Sequence, residues 1–287
     1  MNKLKVGNII TMSSNKEAFE SEFRRTANIG LNCVQIASWY TSDRDEDMLN
    51  FVKDMLKKYS LELTSLWVGW TPIAPNGGWN YTMGPQILGL VPHEYREHRL
   101  AELRQSVNFA KRLDITDIVT HVGYLPENPN DSNYTGVVIA LKILCEDLKR
   151  NGMYFDFETG QETPVTVLRA IEDIGMNNCG VNFDPSNLIT YGKANPCDAM
   201  DILGKYVRGI HVKDGLYPTG GYVKGIQTRI GEGKVNWPRL MGLLNEYKYT
   251  GPYIIEREIP PGDEQLADIR DAKEFIEKEY AKYNWDF

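Results

Sequence analysis

Residues 153–184 read MYFDFETGQETPVTVLRAIEDIGMNNCGVNFD, and three local signals in them set the architecture. Residues 153–158 (MYFDFE) and 180–184 (GVNFD) are short runs of apolar and aromatic side chains, the composition of strands covered on both faces. Between them, Thr163 followed by Pro164 is an N-cap with proline at the first helical position, and Gly175 closes the segment 164–174 as a C-cap. The stretch is therefore one strand–helix–strand unit, the crossover that a parallel strand pair requires.

The same unit repeats in both directions. Further strand runs are residues 5–11 (KVGNIIT), 33–39 (CVQIASW), 62–67 (ELTSLW), 117–122 (DIVTHV), 207–212 (VRGIHV) and 252–256 (PYIIE). Helical segments are predicted over 16–28, 46–59, 94–112, 136–150, 196–203, 237–247 and 264–282. Asn195 and Pro196 repeat the cap pattern, and Leu100, Leu103, Val107 and Ala110 form one helical stripe. The acidic segment at the end of the chain carries Leu266, Ile269, Ala272, Phe275 and Ile276 at helical spacing, so it reads as a last barrel helix and not as an interaction tail.

Eight strand–helix units with no change of composition predict a single (β/α)8 TIM barrel over residues 1–287, with long loop insertions at about 69–92 and 215–235. An open doubly wound sheet is the alternative. It would want a glycine-rich phosphate turn, and neither GxGxxG nor GxxxxGK[ST] occurs.

Composition agrees with this class and narrows the partners. Of 287 residues, 42% are hydrophobic and 25% charged, which removes disordered and disulfide-scaffold readings. The net charge of −7 is a poor start for neutralising a phosphate backbone, so no nucleic acid is expected. No apolar run approaches the ~20 residues of a spanning helix, and the first dozen residues are too polar for a signal segment. No membrane partner and a cytoplasmic location are the expectations. Cys33, Cys145, Cys179 and Cys197 are far apart, without metal-finger spacing, and read as free thiols.

In such a barrel the strands' carboxyl ends converge on one mouth. Four successive runs end in Glu158, Asp184, His211 and Glu256. Any one of them alone is commonly a cap or an ion-pair partner, but four together make a site. Three carboxylates at one point repel and raise one another's pKa unless a proton or cation compensates. One divalent metal ion is the economical answer, and imidazole with carboxylates suits Mn2+, Mg2+, Co2+ or Zn2+.

The segments FETGQETP, NFDPSNLITYG, HVKDG, GEGKVNW and IIEREI resemble those of the xylose isomerase-like TIM barrels, the sugar phosphate isomerase/epimerase group that includes ketose 3-epimerases and, more distantly, endonuclease IV. The resemblance implies that Glu158, Asp184, His211 and Glu256 bind the metal. It also implies that Glu158 and Glu256 exchange a proton with opposite faces of the substrate carbon, and that the protein is a homo-oligomer, a state common in the group.

The match departs from the epimerases at Asn187, where they carry a His three residues after the metal-binding Asp; an amide orients a hydroxyl but does not shuttle protons. Arg229 is the candidate for their substrate-contacting Arg. Other residues placed near the mouth are His121, Lys213, which shares the face of His211 by strand alternation, Gln35, Trp39 and Trp67, the tryptophans being candidate platforms for a sugar's C–H face. The expected function is a divalent-metal-dependent isomerase or epimerase acting on a small carbohydrate or sugar phosphate by proton transfer beside a carbonyl through an enediolate. The alternatives are a lyase or dehydratase on a keto-sugar or inosose, an endonuclease IV-like phosphodiesterase, and a non-catalytic carbohydrate-binding barrel.

Overall fold

The computed structural model describes residues 4–71 and 81–286. Eight parallel strands close into a barrel: β1 (Val6–Thr11), β2 (Cys33–Ser38), β3 (Glu62–Val68), β4 (Asp117–Thr120), β5 (Tyr154–Glu158), β6 (Cys179–Phe183), β7 (Val207–Val212) and, after two short strands β8 (Asp214–Gly215) and β9 (Gln227–Thr228), β10 (Tyr253–Ile255). Each pairs with the next, and β10 closes on β1 with Val6 opposite Tyr253. Each of the eight predicted runs forms one barrel strand, and the predicted 3.6-period segments form the helices between them.

The capping signals act as read. Thr163 accepts from the Thr166 backbone N–H, Pro164 opens the helix Pro164–Ile174, and Gly175 takes the left-handed conformation at its end. Asn195 caps Pro196–Leu203 in the same way. Phe155, Phe157 and Phe183 are fully buried, each contributing about 1.5–3 kcal/mol of hydrophobic stabilisation. At the amino ends of the strands, Arg208 stacks 3.5 Å over the Tyr154 ring and donates to Asp117 at 2.6 Å, which ties β7 to β4 and β5.

Two features were not legible. The run ending at Asp184 stops as a strand at Phe183, and Asp184 instead caps a helical turn, Pro185–Thr190. The long loop after β7 contains the antiparallel pair β8–β9. Of the other predicted insertion, residues 72–80 lie outside the described residues, while 81–92 contain the turn Gly84–Ile87 and pack on the end of β4. There Leu90 donates to the Val122 carbonyl at 2.7 Å. Gly89 sits at φ 65° with no room for a Cβ against that same carbonyl.

The loop after β7 is fastened by one buried carboxylate. Asp214 accepts backbone N–H bonds from Gly215, Gly231, Gly233 and Val235 at 2.8–3.2 Å. Asp214→Ala would leave these donors unpaired, and buried unmade hydrogen bonds cost about 1–3 kcal/mol each. The variant is expected to lose at least about 2 kcal/mol in urea unfolding and to become cleavable by protease within 215–235. An unchanged midpoint and protease resistance would contradict this role.

Candidate metal centre and active-site cavity

Glu158 ends β5, Asp184 follows β6, His211 lies in β7 and Glu256 follows β10. The parallel barrel therefore delivers four side chains to one point from four strands that are consecutive around the wall. Their ligand atoms all lie within 4.8 Å of one another. Ligands about 2.0–2.2 Å from a shared ion stand roughly 4 Å apart across it, so the spacing fits a single divalent cation.

His211 is fully buried. Its Nδ1 lies 3.1 Å from Glu158 Oε1, 3.1 Å from Glu256 Oε2 and 3.6 Å from Asp184 Oδ2. No aligned hydrogen bond satisfies Nδ1 or Asp184 Oδ2; they surround a common point, as ligands do. Burial opposes charge on the imidazole, but the negative charges of Glu158 and Glu256 and the contact with Asp184 override it and hold its pKa well above the ordinary value.

The other ring nitrogen is fixed from behind. Nε2 of His211 lies 2.8 Å from Gln35 Oε1, and Gln35 Nε2 donates to Ser65 Oγ at 2.8 Å. The serine contact orients the amide, the amide oxygen takes the Nε2–H, and Nδ1 is left as the ligand nitrogen. Glu158 is also gripped: the Trp67 indole N–H donates to its Oε2. Asp184 is pinned by Thr159 Oγ1, which accepts from the Asp184 N–H at 2.8 Å and donates to its carbonyl at 3.0 Å.

Lys213 supplies the second positive charge. Its Nζ lies 2.9 Å from Glu256 Oε2, 3.1 Å from Glu258 Oε2 and 3.4 Å from Asp184 Oδ2. Burial opposes the ammonium, yet these three acids raise its pKa well above the ordinary value. Burial likewise opposes ionisation of Glu256, but Lys213 and His211 hold its carboxyl well below the usual range. Asp184 is lowered for the same reason.

A cavity of about 640 Å³ opens over Glu158 and Glu256 and extends along β1 between the helices Lys16–Ile29 and Asp263–Tyr280. One wall is aromatic: Trp39 and Trp67 lie 4.7 Å apart and Trp70 is 6.1 Å from each. His121 meets Trp67 edge-on, with Nε2 3.6 Å from Glu158 Oε1. The opposite wall carries Gln161, Tyr191, Lys224 and Glu258. The buried Arg99 supports the indoles, stacking on Trp70 and donating to the Ile87 and Gly89 carbonyls.

Of the candidates for substrate contact, His121, Trp39 and Trp67 line this cavity, and four do not. Gln35 is 0% exposed and engaged with His211 and Ser65, so it supports the imidazole of His211. Lys213 is drawn beneath the cavity by its three acids. Asn187 is buried where the Asp184 cap turns the chain inward, and it packs against Gly160. Arg229 points away, held 2.7 Å from Asp268, a buried carboxylate that Arg257 also binds at 2.7 Å.

Sequence reasoning missed Trp70, Gln161, Tyr191, Lys224 and Glu258. Glu258 was within reach, since it stands two residues after Glu256 and alternation places it on the same side. Gln161, Tyr191 and Lys224 lie on irregular segments with no periodicity to aim them.

The model of the family described as xylose isomerase-like TIM barrel matches residues 23–279, and the chain belongs to that family. An uncharacterized protein, MJ1311, of Methanocaldococcus jannaschii is 28% identical over 191 residues, 62% of this chain and 60% of the relative, so the match spans less than two thirds of that protein. Among solved structures, a xylose isomerase domain protein from Planctomyces limnophilus is 27% identical with a TM-score of 0.88, covering 97% of this chain and 98% of its own. A xylose isomerase-like TIM barrel protein from Mycobacterium smegmatis in complex with magnesium is 15% identical, with a TM-score of 0.72 and coverage of 94% and 90%. A D-tagatose 3-epimerase-like protein is 20% identical, with a TM-score of 0.73 and coverage of 97% and 98%. No helix among the described residues is long and apolar enough to cross a membrane.

Two expected outcomes follow from the supports of the site. Gln35→Leu frees the His211 ring from its tautomer and should weaken Mn2+ binding about 10- to 100-fold by calorimetry; an unchanged affinity would remove Gln35 from the metal site. The second concerns Glu162, which is buried and whose carboxyl burial pushes up to about 8, against the pull of the Glu162 and Gln161 backbone N–H groups and Lys193. Its folded pKa exceeds the unfolded value, so the folded chain holds an extra proton between about 4.5 and 8, and stability should fall as pH rises through that window. The slope is about 1.4 kcal/mol per pH unit for one such group. Glu162→Gln should remove it; parallel urea-unfolding profiles for the two proteins would contradict the assignment.

Proposed function

We propose that this chain is an enzyme, a divalent-metal-dependent isomerase or epimerase of a small sugar, working by proton transfer at the carbon beside a carbonyl. The observation that carries the reading is the convergence of Glu158, Asp184, His211 and Glu256 on one point, with His211 Nδ1 and Asp184 Oδ2 buried and unsatisfied. Those four residues would hold the ion. A divalent cation bound there supplies a Lewis acid for the oxygen that gains charge as the enediolate forms.

The remaining work falls to the chain's own groups. Glu256 lines the cavity, and both of its cationic contacts fall on Oε2, leaving Oε1 to take the substrate's proton. Glu158 stands across the site as the partner carboxylate, its Oε2 steadied by Trp67. The indole wall offers an apolar face to the substrate's C–H groups and keeps water from one side of the site.

Charge favours an uncharged sugar over a sugar phosphate. Arg257 and Arg229 are engaged by Asp268, Lys213 by Glu256, Glu258 and Asp184, and Arg25 by Glu22. A phosphate entering the cavity would meet Glu158, Glu256 and Glu258 as well as Lys224, so acids outnumber the lysine around it. The magnesium complex of the Mycobacterium smegmatis protein and the name of the D-tagatose 3-epimerase-like structure support both halves of the reading.

The test is incubation of the Mn2+-loaded protein with D-fructose, D-tagatose and L-ribulose in heavy water. Solvent deuterium should enter the product sugar, a chelator should stop it, and Glu158→Gln or Glu256→Gln should each abolish turnover while leaving the fold intact. Turnover by the Gln variants at both positions would contradict the proposal, and an unsaturated product formed with loss of water would assign lyase chemistry instead.

A further inference from the structure

The segment Thr159–Gly160–Gln161 leaves β5 directly after Glu158 and is locked in place at both ends. Thr159 is bonded to both backbone groups of Asp184, and a Cβ at Gly160 would come within 2.9 Å of the Asn187 Cβ, so the chain is pressed against the next strand's loop. The following side chain, Gln161, is thereby directed to the cavity wall. It is 1% exposed, and neither its Nε2 nor its Oε1 makes an aligned hydrogen bond, the Tyr191 hydroxyl being the polar group beside it. A buried amide whose hydrogen bonds are this incompletely made is costly, and such a group in a cavity wall calls for a ligand.

Tyr191 completes the arrangement. It lines the same cavity beside Gln161, with Lys224 Nζ 4.4 Å from its ring centre and the Tyr81 and Tyr124 rings each 6.1 Å away. These neighbours fix the ring. The hydroxyl stays protonated, since burial raises its pKa against the pull of the Gln161 amide. An amide offers donors and an acceptor, and a phenol offers one of each, so the pair is matched to a hydroxyl.

We propose that Gln161 and Tyr191 form the specificity subsite that reads a hydroxyl of the substrate remote from the reacting carbon. This rests on the reading of the cavity as a sugar site. Glu158, Asp184, His211 and Glu256 would hold an ion at the carbonyl end, the indoles would cover the C–H face, and the amide–phenol pair would select a hydroxyl farther along the sugar. A site built to bond a hydroxyl discriminates strongly against the analogue without it, because its own polar groups are then left unpaired.

The experiment uses the Mn2+-loaded full chain, with Gln161→Met as an apolar replacement of similar length and Tyr191→Phe, which removes only the hydroxyl. Binding of D-fructose and of 6-deoxy-D-fructose is measured by calorimetry, together with kcat and KM. Each variant should weaken D-fructose about 10- to 100-fold, leave the deoxy sugar within about twofold, and retain the wild-type Mn2+ affinity. Equal weakening of both sugars, no weakening of either, or a parallel loss of Mn2+ affinity would overturn the subsite. If the wild type binds D-fructose without turning it over, the proposed reaction fails while the binding data still decide this proposal; if it binds neither sugar, both fall.

Discussion

The structure depends on one electrostatic constraint: Glu158, Asp184 and Glu256 bring three carboxylates to one buried point. Parallel strands leave no choice in this, because every barrel strand opens its carboxyl end on the same mouth. Repulsion at such a distance must be offset, and two cations of the chain do so in the absence of metal. His211 sits among the three acids, and Lys213 bridges Asp184, Glu256 and Glu258. The surroundings are arranged to keep that cluster rigid, with Gln35 behind the imidazole, Trp67 on Glu158, and Thr159 on the backbone of Asp184.

Indoles form one wall of the cavity above the cluster, braced by Arg99 and by the helix His93–Arg112 that carries it; Gln161, Tyr191, Lys224 and Glu258 form a polar wall, and apolar residues of β1 and of the first and last helices line the rest. Glu162 fits this division. Kept neutral near pH 7 by burial, it adds bulk behind the polar wall without a further negative charge beside Glu158.

The barrel and the convergence of Glu158, Asp184, His211 and Glu256 were legible because both follow from periodicity. Apolar runs gave the strands, Thr163–Pro164 and Asn195–Pro196 gave helix starts, and a polar residue at a strand's carboxyl end has one place to go. Side chains whose role is set by tertiary contact were not legible. Gln35 lies in β2 like a residue of the mouth, yet its burial beneath His211 depends on the pairing of Gln35 with Ser65 across β2 and β3. Arg229 precedes GEGK as a substrate arginine would, but Asp268 on a distant helix captures it. Asn187 is buried because Asp184 caps a turn that the strand pattern did not reveal. Gln161 and Lys224 stand on irregular backbone, where direction is fixed by contacts and not by spacing.

Calorimetric titration of the chelator-treated protein with Mn2+ tests the central claim most directly. The account predicts one ion per chain, a rise in melting temperature with metal concentration, and loss of both effects in Asp184→Ala with the fold retained. An absence of binding at millimolar Mn2+, or binding undiminished in Asp184→Ala, would contradict the reading of this cluster as a metal centre.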